Sequence, residues 1–275
     1  MSSNRQRLEL GLLRAKVRGM GILERTQPSR VGSISSVLTN RPVFTFTFDD
    51  GPTRERTPDV MQALREHEAT ATFFVLMRNA RAEPSLLAEL VSEGHEIGLH
   101  GEDHRALSTV PAHEFRGLLR SARAELQDLT GQPVCWYRPP YGRITVPTWR
   151  LVYGEGMAPV IWNRTAWDWK HTDQESRIAA ACIKPSPGVV ILAHDGHAGP
   201  LDLAEAIQEP QFNRRELVSH ILADYSAHGL RSRTLGEVIA GGRPIYRTHF
   251  RIGRSSPLAL KGWAPQRLCG ADASA

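Results

Sequence analysis

Two histidines four residues apart, His100 and His104, are the first candidates for chemistry in this chain of 275 residues. On one helical turn, imidazoles at that spacing face the same way, as two ligands of one metal ion must. The pair alone is a weak signal, because the chain contains eleven histidines. Asp50, which follows a strand-like run, offers a third ligand. A His₂Asp set leaves one coordination position open, so these residues predict a catalytic rather than a structural metal site.

Asp49 stands next to Asp50, and adjacent side chains of an extended chain point in different directions. One carboxylate can therefore bind the ion while its neighbour acts as a general base towards an attacking water. A turn or helix cap would explain Gly51 and Pro52. It explains poorly why two consecutive acids follow the run FTFTF, so we predict a base at Asp49.

The segment RPPYG combines Arg138 with two prolines and Tyr141. Prolines remove backbone donors and stiffen a loop, so the N–H of Tyr141 would be held in a fixed direction. A fixed N–H beside a metal is a suitable donor to an oxyanion. An ordinary rigid turn with a surface Arg138 explains the same residues equally well.

His194 ends the apolar run VVILA, where a histidine can protonate a leaving amine. A hydrogen-bonded core or rim histidine is the alternative. Asp168, between Trp167 and Trp169, could orient His194 and raise its pKa. Trp169 and Leu192 would then offer an apolar niche for a small acyl methyl group. Metal ligands, base, acid and oxyanion donor together are what hydrolysis of an amide requires.

Seven strand-like runs alternate with helical patterns and must position these side chains. The strand-like runs are Val43–Phe48, Ala71–Leu76, Glu96–Leu99, Val134–Tyr137, Ala158–Trp162, Val189–Ala193 and Leu230–Arg233. The helical patterns cover 57–68, 84–93, 111–130, 146–153, 174–183, 213–228 and 235–240. This alternation indicates parallel β/α units, in a barrel or a doubly wound sheet. The polar motifs fall at or after strand ends, which favours an imperfectly closed barrel with its site on one face.

Charge is distributed unevenly around a net value of +5. Residues 1–30 hold seven Lys and Arg against two acids, and residues 243–275 hold six against one, which leaves residues 31–242 at −5. We interpret 1–40 as a basic extension and linker, 41–242 as the catalytic domain, and 243–275 as a basic tail. Without a nucleic-acid-binding signature we expect solvated tails and no specific nucleic acid partner; weak contact with an anionic membrane surface stays open.

Cysteines and apolar runs bear on the compartment. Cys135, Cys182 and Cys269 are widely spaced and odd in number, so we expect buried or incidental thiols. No run approaches the roughly 18 apolar residues of a transmembrane segment. No signal-peptide core interrupts the polar N-terminus. The expectation is a cytoplasmic protein.

The motifs, in this order, resemble the NodB-type polysaccharide deacetylases, the family 4 carbohydrate esterases. TFDDGP at 47–52 matches the family pattern unaltered, and RPPYG at 138–142 matches R-x-P-[YF]-G. The pattern H-[ST]-x-x-H appears as HGEDH at 100–104, with Gly101 in place of Ser or Thr. The DW and LxHD elements are present at 168–169 and 192–195. The resemblance covers roughly residues 41–242. It implies an α/β fold, a distorted (β/α)7 barrel forming a single catalytic domain with short extensions.

The resemblance also implies a role for each matched residue. Asp50, His100 and His104 would bind the metal, and Asp49 would be the base held by Arg138. The amide of Tyr141 would stabilise the oxyanion, and Asp168 would tune the pKa of the acid His194. Trp169, Leu192 and Pro140 would contact substrate. The implied reaction removes an N-acetyl group from an amino sugar and releases acetate. Zinc is the expected metal, with cobalt or manganese as alternatives.

The substrate stays open between a chitooligosaccharide, a lipid-linked sugar and a biosynthetic intermediate. Trp136, Tyr137, Trp149 and Trp162 are candidates for sugar contacts, although core packing explains them equally well. The chain departs from the family pattern at Gly101, where Ser or Thr is usual, and at Thr165, where many members have Asp. We expect altered loop support or substrate preference from both.

Two alternatives to this function remain. One is an amidohydrolase of the same superfamily that acts on a non-sugar amide or a cyclic ureide, with a different pocket. The other is a non-catalytic carbohydrate-binding descendant, which we expect less because no base, ligand or acid is missing.

Overall fold

Strands and helices alternate through residues 31–105, 110, 112–197 and 210–250, the parts of the chain that the computed structural model describes. The strands are β1 (Ser33–Leu38), β2 (Val43–Asp49), β3 (Thr72–Leu76), β4 (Glu96–Gly101), β5 (Trp136–Tyr137), β6 (Ala158–Pro159), β7 (Arg164–Thr165), β8 (Val190–His194), β9 (Arg231–Ser232) and β10 (Arg243–Arg247). The helices are α1 (Thr57–Glu66), α2 (Met77–Ala82), α3 (Pro84–Ser92), α4 (Ala112–Thr130), α5 (Val146–Gly154), α6 (Gln174–Ala181), α7 (Arg214–Ala227) and α8 (Leu235–Ala240).

The central sheet has the strand order β6-β5-β4-β3-β2-β8-β7, and β9 pairs with the start of β2. Every pairing in it is parallel. Strand β2 is buried at every residue, as expected for a parallel strand covered on both faces. The order runs from β6 at one end to β7 at the other, which agrees with the predicted distorted (β/α)7 barrel.

Aromatic residues of β2 form much of the core. The ring of Phe48 stacks between those of Phe46 and Phe73, with centroids 4.7 and 5.1 Å away. Helix α1 packs its apolar face on the same cluster through Met61 and Leu64, both fully buried. Truncating one such leucine to alanine costs about 2–5 kcal/mol, so this packing holds the carboxyl end of β2 in place.

The segments on either side of the predicted domain differ from the prediction. Residues 33–38, interpreted as linker, form β1, and residues 243–247, interpreted as tail, form β10; the two strands pair antiparallel. This two-stranded sheet contacts the barrel where the N–H of Ile161 donates to the carbonyl of Ile34 at 2.7 Å. The run SISSVL has few apolar residues, and its partner strand lies at the far end of the domain. The local pattern therefore could not reveal the pairing.

Several other elements differ in length. Strands β5, β6 and β9 have two residues each, where the runs predicted four or five. Helix α2 and strand β7 were not predicted, because each is too short to show a periodicity. Among the helices in the described parts of the chain, none is long and apolar enough to cross a membrane.

The prediction of incidental thiols is wrong for Cys135, which is disulfide-bonded. Cys182 is a free thiol, and Cys269 lies outside the described residues.

Candidate active site

The predicted site residues meet at the carboxyl ends of the parallel strands. Asp49 ends β2, His100 lies near the end of β4, Arg138 follows β5, and His194 ends β8. Their face of the barrel holds a cavity of about 430 Å³. The predicted residues that line it are Asp49, Asp50, His100, His104, Tyr141, Asp168, Trp169, Leu192 and His194. Barrel topology thus brings together residues that are separated by up to 145 positions in the chain.

Two predicted residues do not line this cavity. Arg138 is fully buried behind it and acts through its neighbours. Pro140 is also buried and lines a separate, smaller cavity beside Leu99 and Phe115. Its ring stiffens the turn, and the contact of Pro140 with substrate stays a prediction. Of the aromatic candidates, Trp162 lines the larger cavity, whereas Trp149 and Tyr137 are core residues.

Asp50, His100 and His104 form a buried group whose ligand atoms all lie within 4.8 Å of one another. Oδ1 of Asp50 lies 3.3 Å from Nε2 of His100 and 3.7 Å from Nε2 of His104. This oxygen is buried without a hydrogen-bond partner. Nδ1 of His100 donates to the carbonyl of Arg138 at 2.7 Å, which leaves Nε2 as a lone-pair donor facing Asp50. The donor set fits a divalent metal ion.

Asp50 is held in the form that binds a metal. Burial by itself would raise the pKa of its carboxyl, but the contact with His100 and the charges of the surrounding histidines hold that pKa below its ordinary range. Its φ of 74° turns the chain as β2 ends. The carboxyls of Asp49 and Asp50 therefore meet different partners, as the sequence predicted.

The two histidines do not share a helical turn as predicted. His100 lies in β4 and His104 in the loop after it, with ring centroids 5.2 Å apart. Gly101 between them has a φ of 151°, and a Cβ there would lie 2.9 Å from the carbonyl oxygen of Asp103. Glycine therefore adopts this loop conformation without the strain that a side chain would introduce at position 101.

Asp49 forms an ion pair with Arg138 that is almost completely buried. Nη1 of Arg138 donates to Oδ1 of Asp49 at 2.7 Å and to Oγ1 of Thr47 at 2.8 Å. The guanidinium stacks on Phe74, 4.0 Å from the ring centroid. Oδ2 of Asp49 lies 4.0 Å from Nε2 of His100. One oxygen is thus held by the arginine while the other faces the metal-ligand group.

His194 is held by both oxygens of Asp168. Its Nδ1 donates to Oδ1 at 2.9 Å, and its backbone N–H donates to Oδ2 at 2.7 Å. Burial by itself would lower the pKa of His194, but the charge and hydrogen bond of Asp168, together with the charges of Asp50 and Asp49, raise it to about 9. The edge of the Trp169 ring packs at 5.3 Å from the imidazole. This is the geometry of a proton donor.

The turn Pro140–Gly142 places Tyr141 at the cavity wall. Tyr141 has a φ of 59°, and its ring packs edge-on against His104 at 4.3 Å. The N–H of Gly142 donates to the carbonyl of Pro139 at 2.9 Å, and that of Arg143 to Pro140 at 3.1 Å. These bonds fix the turn; the oxyanion role of the Tyr141 N–H stays a prediction.

Asp195 is a residue to which the sequence reasoning gave no role, although the LxHD pattern contains it. Its backbone N–H donates to the carbonyl of Asp49 at 3.1 Å, and Thr57 donates to its Oδ2 at 2.7 Å. A Cβ at Gly51 would lie 2.0 Å from this carboxyl, so glycine allows the close approach. Burial raises the pKa of Asp195 to about 7. The residue joins the ends of β2 and β8 beneath the metal-ligand group.

Basic residues at the cavity were also missed, because isolated arginines carry no pattern. Arg56, Arg143, Arg214 and His197 line it. The position of Arg143 directly after RPPYG was the one available signal.

Fold and site together define a distorted β/α-barrel protein with a candidate divalent-metal centre at the carboxyl ends of its strands. Residues 37–160 match the polysaccharide deacetylase family. The chain is 35% identical to a chitooligosaccharide deacetylase of Azorhizobium caulinodans, over 61% of this chain and 80% of that protein. It is 33% identical to a peptidoglycan-N-acetylglucosamine deacetylase of Bacillus cereus over 59% of each chain, so the match spans less than two thirds of that relative.

A solved structure supports the same relationship. The crystal structure of the Bc1960 peptidoglycan N-acetylglucosamine deacetylase is similar with a TM-score of 0.66 at 28% identity, and the match covers 79% of this chain and 94% of that one. The chain belongs to the polysaccharide deacetylase family, the family 4 carbohydrate esterases.

Proposed function

We propose that this protein is a metal-dependent hydrolase that removes an N-acetyl group from an amino sugar and releases acetate. The observation that carries the proposal is the buried group Asp50–His100–His104, set between the Asp49–Arg138 pair and the His194–Asp168 pair. Relatives named as chitooligosaccharide and peptidoglycan-N-acetylglucosamine deacetylases support an N-acetylated sugar as the substrate class.

A divalent ion held by Asp50, His100 and His104 would supply Lewis-acid chemistry, which polarises a carbonyl and acidifies water. We assign zinc, because a mixed imidazole and carboxylate set with an open position is typical of catalytic zinc. Cobalt and manganese are alternatives for such donors. Metal analysis of the purified protein tests the assignment.

Asp49 accepts a proton from the attacking water. Arg138 binds Oδ1 of this carboxylate and so fixes which oxygen faces the substrate. The N–H of Tyr141 donates to the carbonyl oxygen of the substrate as negative charge develops there. His194 then protonates the departing amine, and Asp168 keeps the imidazole charged and oriented for that step.

The apolar side of the cavity accounts for the acyl group. Leu192 is buried and lines the cavity beside Trp169, which is 45% exposed. We assign to them the contact with the acetyl methyl. The sugar itself is a chitooligosaccharide, a lipid-linked sugar or a biosynthetic intermediate, which the experiment below distinguishes.

The test is acetate release by zinc-loaded protein, with a chelator-treated control, from N-acetylglucosamine oligomers of several lengths and from nucleotide-linked and free N-acetyl sugars. Release that rises with oligomer length supports a chitooligosaccharide-type substrate. Release from a small or nucleotide-linked sugar supports a biosynthetic intermediate. No release from any of them, with zinc bound, contradicts the proposal and favours a non-sugar amide.

Two variants test the roles assigned to Asp49 and His100. Asp49→Asn should retain zinc and lose about 10²–10⁴-fold in kcat, the usual contribution of a general base. His100→Ala should lose both zinc and activity. Loss of zinc in Asp49→Asn would show that the two aspartates are assigned in the wrong order.

Contact of the basic segments 1–30 and 243–275 with anionic membranes is a separate and weaker proposal. Co-sedimentation with anionic vesicles, for the full chain and for a chain without residues 1–30, tests it. Equal sedimentation of both would contradict a role for the first segment.

A further inference from the structure

The cavity carries positive charge that the proposed hydrolysis does not use. Among the described residues that line it, the acidic side chains are Asp49, Asp50 and Asp168. Each of these already faces Arg138, the histidine ligands or His194. Apart from the histidines of the metal-ligand group and His194, the remaining ionisable side chains of the lining are the basic residues Arg56, Arg143, Arg214 and His197. The proposed hydrolysis of the N-acetyl group assigns no role to these side chains.

Arg143 lies beside Tyr141 at the cavity wall. Its guanidinium stands over the ring of Tyr141 at 5.3 Å from the centroid, and that ring packs against His104 at 4.3 Å. A chain of two contacts therefore links Arg143 to a metal ligand. Arg143 is exposed, and no carboxylate within the described residues forms an ion pair with it.

The other two arginines are held at the same cavity by hydrogen bonds to backbone. Nε of Arg214 donates to the carbonyl of His194 at 2.9 Å, and its guanidinium stacks on Phe212 at 4.6 Å. Nη1 of Arg56 donates to the carbonyl of Gly196 at 2.6 Å. These contacts fix where the two guanidinium groups lie at the cavity wall.

We propose that the cavity recognises an oxyanion on the amino sugar, a phosphate or a carboxylate substituent, and that Arg143 is the residue that contacts it. The inference rests on the proposed function and narrows its substrate class. A guanidinium matches the geometry of both oxyanions through paired N–H donors.

The experiment compares kcat/KM for matched N-acetyl sugars in zinc-loaded protein. N-acetylglucosamine 1-phosphate and a nucleotide-linked N-acetylglucosamine present phosphate, N-acetylmuramic acid presents a carboxylate, and N-acetylglucosamine and its dimer are neutral. We expect a preference for an anionic sugar. The ratio of anionic to neutral kcat/KM should fall about 10- to 100-fold in Arg143→Gln, as expected when a charge-assisted hydrogen bond is lost.

Arg120→Gln is the matched control. Arg120 lies on α4, is exposed, forms an ion pair with Glu155 and does not line the cavity. Its anionic-to-neutral ratio should equal that of the unaltered protein. The preference should also weaken as salt rises, because exposed charges are screened. Which of the anionic sugars shows the larger fall in Arg143→Gln identifies phosphate or carboxylate as the source.

Failure of this inference is distinguishable from failure of the proposed function. Acetate release from neutral sugars without preference for any anionic sugar overturns the inference alone. An unchanged preference for the anionic sugar in Arg143→Gln also overturns it, because it shows that Arg143 does not contact the oxyanion. If no sugar releases acetate, calorimetric titration with N-acetylglucosamine 1-phosphate decides the inference: a Kd weakened about 10-fold or more in Arg143→Gln supports it, and an equal Kd overturns it.

Discussion

Replacing Arg138 by methionine should destabilise the protein strongly, because the change leaves a buried carboxylate without its partner. Arg138 is fully buried and Asp49 is 2% exposed, with 2.7 Å between Nη1 and Oδ1. Exposed ion pairs contribute about 0–1 kcal/mol, but removal of one partner of a buried pair costs about 3–5 kcal/mol. That is a large part of the roughly 5–15 kcal/mol that stabilises a typical domain.

The assay is a double-mutant cycle measured by urea unfolding. Arg138→Met, Asp49→Asn and the double variant are compared with the unaltered protein at constant pH and metal content. Because Asp49→Asn removes the stranded charge, the double variant should be about 2 kcal/mol more stable than the sum of the single changes predicts, within the usual coupling range of about 0.5–3 kcal/mol. Arg138→Lys, which keeps the charge, is the alternative if Arg138→Met does not fold.

Arg120→Met provides the control for loss of an arginine. Arg120 contacts Glu155 through Nε and Nη2, both at 3.0 Å, but its side chain is 69% exposed. Its urea midpoint should not change. Additive effects of Arg138→Met and Asp49→Asn, within about 0.5 kcal/mol, would refute the view that these residues act as one buried pair.

Three further predictions follow from the site and the thiols. The acid form of His194 is present below its pKa of about 9 and is lost as pH rises through that value, so kcat/KM should decline near pH 9. Asp168→Asn should move this decline towards the ordinary histidine pKa of 6.5. A decline at the same pH in Asp168→Asn would contradict the assignment of His194 as the acid. Gly101→Ala places a Cβ 2.9 Å from a carbonyl oxygen at a φ of 151°, which introduces strain of about 1–3 kcal/mol. This variant should bind zinc about 10- to 100-fold more weakly in chelator competition. Equal zinc affinity would show that the loop adapts. Alkylation before reduction, read by mass spectrometry, should label Cys182 but not Cys135, whereas a labelled Cys135 in protein from its own cell would favour the cytoplasmic location.

The barrel could be predicted because its long central strands have a clear sequence pattern. Runs such as Val43–Phe48 and Val189–Ala193 are apolar along their whole length, as strands buried on both faces must be. The alternation with helical patterns then specified parallel connections. The short strands β5 to β7 and β9 could not be bounded in the same way, since two residues carry no periodicity and owe their conformation to neighbouring strands.

The larger error of the sequence analysis was to interpret the segments that form β1 and β10 as linker and tail. The strand β1 is rich in serine and resembles a linker, and it becomes a strand because Ile34 is buried against the barrel beside β6. Its partner β10 is equally unremarkable when taken alone. Pairing between segments at opposite ends of a domain depends on where the fold brings the termini, which no local pattern encodes.

The residue types and their order determined the candidate chemistry of this protein: two histidines and an aspartate for a metal, a second aspartate for a base, and a histidine with an aspartate for an acid. These identities are local and survive in the sequence as short motifs. Tertiary structure alone decided that the Asp49–Arg138 pair is almost completely buried, that Pro140 lines a separate cavity, and that Arg143 and Arg214 line the larger one. The physical reason is that contact, burial and electric field depend on distances between strands that the barrel closes, and those distances are set by the packing of the whole domain.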